Sequence, residues 1–227
     1  MIMNFSGMSI AGGVTIAPPS VPSIGDAFGG GYYAGQISTT ANGVATHYLI
    51  VSPKATGQLT NVTFGPTGTL TSALSNYDGA TNTATLAALG STYQAAYQCK
   101  NLNINGYTDW YLPAKAELEI LFWYLKPTNT LNQTLTPSGA NPYAVSPEPI
   151  STNYTTTSPL QTTVSLFQTG NSEAIEAAAY NSFFWSSTQY DTNSAWYQLF
   201  GTTQPGKQQY EFKNNPAAAR AIRKVAI

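Results

Sequence analysis

The chain has 227 residues, enough to bury a full core, and its formal net charge is −1. Only 8% of residues are charged, roughly a third of the usual share, so the sparse Lys and Arg offer no electrostatic footprint for nucleic acid. One cysteine, Cys99, excludes an intrachain disulfide and a cysteine-rich metal site, and one histidine, His47, would leave a metal centre to scattered carboxylates, so neither metal nor cofactor is expected.

Residues 1–24 are Gly- and Pro-rich, with "APPSVPS" near their end, and lack any period. They read as an extended arm, because proline pre-sets open backbone and cannot join a ladder from the middle. Its Ile, Met, Phe and Val suit docking on a neighbouring chain as well as a free tail. The apolar residues follow no positive segment, which argues against a secretory signal. No run approaches the ~20 apolar residues of a membrane span, so membrane insertion is not expected.

"GDAFGGGYYAGQIS" begins with a tight glycine turn and lacks the Lys-Ser/Thr of a phosphate loop. "YYAGQIS" and "THYLIVSPK" predict a hairpin with Asn42 and Gly43 in its turn. His47 starts the second strand and reads as a structural residue. Helical spacing begins at Asn82 in "NTATLAALG", which Gly90 stops. It resumes in "TYQAAYQCKNL", where Cys99 reads as a buried, inert thiol.

The segment "GYTDWYLPAKAELEILFWYL", from Gly106 to Leu125, divides at Pro113. A turn and a short extended stretch precede the proline. After it, Leu118, Leu121, Phe122 and Leu125 recur at helical spacing, and Lys126-Pro127 ends the helix. Glu117 and Glu119 fall beside or opposite that stripe, on a solvated face. No second carboxylate is expected to converge with Asp109, and no Gly-x-Ser-x-Gly elbow accompanies the histidine, so the chain does not read as an enzyme.

Residues 126–170 form a long Thr-, Pro- and Asn-rich loop, of the kind that serves function or assembly. "SEAIEAAAY" predicts a short helix. "FFWSSTQYD", "SAWYQLFG", "KQQYEFK" and "ARAIRKVAI" predict strands, giving an α+β domain with a final antiparallel sheet. Lys213, Arg220, Arg223 and Lys224 are the one basic cluster.

The D-W-x-L-P-x-x-x-E-L helix start (Asp109, Trp110, Leu112, Pro113, Glu117, Leu118), the W-S-S-T run (Trp185 to Thr188) and the closing "ARAIRKVAI" occur together. In these the chain, over residues 25–227, resembles a DUF1566-like domain family of C-type-lectin-like fold. That family is shared by bacterial adhesin C-terminal domains and virion proteins of tailed bacteriophages. "GGGYYAGQIS" and "YDGATNTATLAALG" look like the phage branch. The resemblance implies two main helices packed on twisted antiparallel strands, terminal strands side by side, and long loops on one edge. The Cys pair of sulfatase-modifying oxidases and the sugar-binding motifs of calcium-dependent lectins are missing.

On this reading Asp109 is buried, taking backbone N–H groups or pairing with Arg220 or Arg223, and Asp109→Ala loses folding. Trp110, Trp123, Trp185 and Trp196 are core. The implied protein is a structural component of a phage particle (tail fibre, baseplate, head appendage or decoration). It is made in the host cytoplasm and released by lysis. It self-associates as a homotrimer and joins other virion proteins through the arm. Loops near 128–165 and 189–209 would meet a host-surface glycan or protein through Tyr154, Tyr190, Asp191, Asn193 and Gln204. A purely decorating role fits equally well. The alternatives are an envelope-polysaccharide-degrading enzyme and a bacterial adhesin domain.

Overall fold

The computed structural model describes residues 21–177 and 182–227. Nearly all of the expected arm therefore lies outside the described residues. The chain enters through β1 (Ala27–Phe28) and β2 (Gly31–Ile37), joined by Gly29 and Gly30 with φ of +56° and +86°. Only glycine adopts two such angles in succession without strain. β3 (His47–Val51) completes the predicted hairpin, and a single turn, α1 (Lys54–Gly57), leads into β4 (Gln58–Val62). The helices follow: α2 (Gly79–Ala88), α3 (Gln94–Lys100) and α4 (Lys115–Leu125). The final strands are β5 (Phe183–Gln189), β6 (Ser194–Leu199), β7 (Gln208–Phe212), β8 (Ala217–Arg220) and β9 (Ile222–Ala226).

Two sheets result, in the orders β1-β2-β3-β9 and β4-β8-β5-β6-β7. "ARAIRKVAI" thus supplies two strands, β8 to one sheet and β9 to the other. β9 pairs antiparallel with β3, so the C-terminal strand joins the sheet of the N-terminal hairpin. β1 and β9 form the two opposite edges of that sheet, so the first and last strands are not neighbours, contrary to what the resemblance implied. The second sheet is not wholly antiparallel as the sequence implied: β8 returns past the β5–β6–β7 meander and meets β5 in parallel at Phe184 and Ala218. That return leaves β7 as an outer edge.

Every residue of β5 is buried, and its alternating side chains feed two cores. Trp185 packs with Phe64, Leu86, Cys99, Trp110 and Leu112 beside α2 and α3. Phe184 packs with Leu118, Leu121, Phe122, Leu125 and Phe200 beneath α4. Each such side chain contributes about 1.5–3 kcal/mol through burial. Cys99 is fully buried, as expected, and burial pushes its thiol up to about 12.

α2 starts at Gly79, three residues before the predicted Asn82, because Asp78 caps it by accepting from Thr81 N–H at 3.2 Å. α4 departs further from expectation. Eight of its eleven residues are buried, Glu117 and Glu119 among them. At Glu119 the predicted solvated face is roofed by the 126–170 segment, which carries buried Lys126, Asn132, Asn141, Glu148 and Tyr154, and at Glu117 it is closed by Gly79 and Tyr111. "SEAIEAAAY" forms no helix over residues 172–177, and residues 178–180 lie outside the described residues. Glu173 is drawn instead to the buried Arg220, and Ile175 to the core.

Candidate functional site

The signature residues converge first on a scaffold. Arg223 holds both Asp109 oxygens, from Nε at 2.7 Å and Nη2 at 2.8 Å, while its Nη1 donates to the Gly29 carbonyl at 2.9 Å. The guanidinium lies 4.0 Å above the Tyr107 ring. Asp109 is not buried as expected: its side chain is 53% exposed, and the Arg223 hydrogen bonds hold its carboxyl below the ordinary range. Arg220, fully buried, donates to Glu173, Ser52 and Gln58. Trp110 and Trp185 are fully buried.

Glu117 stitches the helix start together. Its Oε2 accepts from Ala114 N–H at 2.8 Å and Gly79 N–H at 3.1 Å, and its Oε1 from the Tyr111 hydroxyl at 2.8 Å. Burial pushes its carboxyl up to about 7, and these donors oppose the rise. The Trp-Ser-Ser-Thr run docks on the same place. Ser187 N–H reaches the Pro113 carbonyl at 2.8 Å, and Thr188 Oγ1 takes Lys115 N–H at 3.0 Å.

Two residues on, Glu119 accepts from Tyr154 Oη–H at 2.7 Å and from Asn141 Nδ2 at 2.7 Å. Tyr154, expected as an exposed contact, is 4% exposed and locks the long loop to α4. Glu148 also converges here, so a carboxylate pair exists where the sequence implied none. Neither Glu148 oxygen receives a well-formed hydrogen bond from an N–H or hydroxyl group. Burial raises both carboxyls, Glu148 well above the ordinary range, and the neighbouring Glu119 charge adds to the Glu148 rise.

The surface beside this buried network carries the candidate site. β6 and β7 pair Trp196 with Tyr210 and Gln198 with Gln208. Side chains two apart share a face, so Gln208, Tyr210 and Phe212 form one row along the edge strand. Tyr190 stacks on Tyr210 at 3.9 Å and an interplanar angle of 4°, and Trp196 stands at right angles to both. Tyr190, Tyr210 and Phe212 are about half exposed, at 45%, 43% and 56%. Trp196 is half-buried rather than core, and Lys115 Nζ sits 4.1 Å above its ring. Burial lowers the Lys115 ammonium below its ordinary range. Trp123, also expected in the core, is half-buried and stacks on Tyr154.

Next to the aromatic row, Lys115 and Gln208 border a cavity of about 110 Å³ with Asn76, Glu119, Asn141 and Tyr143 in its wall. Of the expected contacts, Tyr190 belongs to this face. Asp191 shapes the β5–β6 turn, taking Asn193 N–H at 2.8 Å and Ser194 N–H at 2.7 Å. Asn193 Oδ1 braces Gly68 N–H at 3.0 Å, in an open polar groove with Phe212, Asn214 and Asn215. Gln204 turns back on its own loop to Lys207 Nζ at 3.1 Å. Lys115, Gln208 and Tyr210 escaped the sequence reading. The period-2 row in "KQQYEF", set against Trp196, was the signal for two of them. His47 heads β3 with Nδ1 at 2.9 Å from Thr46 Oγ1, apart from this face.

Stacked, half-exposed rings ringed by amides and one ammonium can hold a neutral, hydroxyl-rich ligand by ring stacking and hydrogen bonds. Among the described residues no group of three or more His, Cys, Asp or Glu is placed to hold a metal ion. No described helix is long and apolar enough to cross a membrane.

No curated protein and no solved structure matches the chain. One family does: the model described as the Lcl C-terminal domain matches residues 67–223, which takes in the first two signatures, the closing Arg220 and Arg223, and the aromatic face. The chain belongs to the Lcl C-terminal domain family, the DUF1566-like group to which the Asp-Trp, Trp-Ser-Ser-Thr and closing arginine motifs pointed.

Proposed function

We propose that the chain is a structural component of a tailed bacteriophage particle that meets the host surface through the β6–β7 face, binding a glycan there. The observation that carries this reading is the Tyr190–Tyr210–Trp196 cluster, exposed on an edge strand and bordered by amides in a chain with little surface charge. Rigid aromatics with few rotatable bonds lose little entropy on contact, which suits recognition of neutral sugars. A C-type-lectin-like fold is part of the proposal. Its support is the pairing of β3 with β9, the helices packed on the sheets, and the long loop along one side. Self-association, three-fold in this reading, and attachment through residues 1–24 complete it. The test has two arms. Antibodies against the chain should label purified particles in negative-stain images, and the purified chain should bind some members of a panel of bacterial envelope polysaccharides. Unlabelled particles would sink the virion role, and silence across the panel would sink glycan recognition.

A second reading, hydrolysis of envelope polysaccharide, is favoured by the convergence of Glu119 and Glu148. Reducing ends released by the wild type and not by Glu119→Gln would establish it. Both carboxyls lie under the long loop, at 0% and 2% exposure, which favours binding over hydrolysis.

A further inference from the structure

The small cavity beside the aromatic row has a distinctive set of groups. Gln208 is 3% exposed, and its amide orientation is fixed because Nε2 donates to the Lys115 carbonyl at 3.3 Å. Its Oε1 is left as a buried acceptor with no partner. Lys115 Nζ, at the same rim, makes no hydrogen bond among the described residues and rests on Trp196. Ala116, Ala140, Pro142 and the Tyr143 ring supply apolar wall. Glu119 and Asn141 in the wall are bonded to each other, so the cavity adds to its hydrocarbon surface one unpartnered acceptor on Gln208 and one cationic donor on Lys115. Its 110 Å³ corresponds to the share of about four waters, too little for a pyranose ring and enough for a short polar arm.

We infer that this cavity is the acetamido pocket of an N-acetylhexosamine subsite. The sugar N–H donates to Gln208 Oε1, its carbonyl accepts from Lys115 Nζ, and its methyl meets the Ala140 and Tyr143 wall. The pyranose ring lies on the outer aromatic surface of Tyr190 and Tyr210. The inference rests on glycan recognition by the β6–β7 face and names the sugar class.

The test is ligand-observed saturation-transfer NMR of the full chain with N-acetylglucosamine, N-acetylgalactosamine and, as control, glucose. Single sugars should bind with dissociation constants on the order of 1 mM. The acetamido methyl should receive the strongest transfer, and at least one acetylated sugar should outbind glucose. Gln208→Leu, which removes the acceptor and keeps the bulk, should weaken the acetylated sugar ~10-fold and leave glucose unchanged. Ala140→Leu, which fills the cavity and touches none of the Gln208 bonds, should do the same and covers the case in which Gln208→Leu folds poorly. Equal binding of glucose and the acetylated sugars, or a preference that survives Ala140→Leu, overturns the acetamido pocket while glycan recognition stands. Glycan recognition itself fails only if the envelope polysaccharides are silent as well.

Discussion

Asp109 and Arg220 look alike in the sequence, each a charged residue in a signature, yet they differ in environment and so in weight. Arg220 is sealed with Glu173, whose side chain is 9% exposed. Arg220→Met would leave that carboxylate buried without its partner, and a loss of about 3–5 kcal/mol is expected in chemical denaturation. Asp109 faces water over half its side chain, so solvent screens its pair with Arg223. Asp109→Ala should then lower stability by only about 1–2 kcal/mol and leave a folded protein, a milder outcome than burial would give. The tryptophans divide in the same way. Trp185→Ala opens a cavity in the first core and should cost about 3–5 kcal/mol. Trp196→Ala, at a half-buried position, should cost less than half as much. Thermal melts of the two variants side by side check the order.

At the scale of elements, α4 and its roof explain what the sequence disclosed and what it hid. The helices were legible because their apolar spacing is local and their C-terminal ends are marked by Gly90 and Pro127, while the Asp78 cap of α2 went unread. The burial of Glu119 was not legible, because its covering groups come from far along the chain, whereas Glu117 is bonded mainly by its near neighbours Ala114 and Tyr111. Tyr154 lies 35 residues from Glu119. A window of a few turns contains no trace of it. The aromatic face was half legible: Tyr190 stands out in a turn, but Tyr210 joins it only through the β6–β7 register.

The buried glutamates of α4 and its roof set a pH dependence. Glu117, Glu119 and Glu148 have carboxyls raised by burial, so the folded state binds their protons more tightly than the unfolded chain does. For Glu117 the stabilising contribution is complete below the ordinary glutamate range, near 4.5, and is lost as pH rises through about 7; Glu119 and Glu148 act in the same sense. Asp78 and Asp109 are lowered and act oppositely, losing their contribution only as pH falls below about 4. The melting temperature should therefore be higher at pH 5 than at pH 8. Glu148→Gln should flatten part of that slope, and an unchanged slope would contradict a Glu148 carboxyl raised by burial.

For the whole molecule, the two sheets, the pairing of β3 with β9 and the roofed helix produce a rigid body that presents one half-exposed aromatic row on an edge. Edge strands left open invite pairing with other chains, and the side chains of β7 bear on what it meets. If residues 1–24 anchor the chain, sedimentation of the full chain should show a trimer, and removal of those residues should weaken it. A monomer in both cases would remove self-association from the account.

The most direct test of a scaffold held by the signature residues and a recognition face built from β6 and β7 is a binding measurement on Tyr190→Ala/Tyr210→Ala. Binding to the envelope polysaccharides recognised by the wild type should be lost, with a melting temperature within about 4 °C of the wild type, a shift of roughly 1 kcal/mol for a chain of this size. Undiminished binding by a folded double variant would contradict the account.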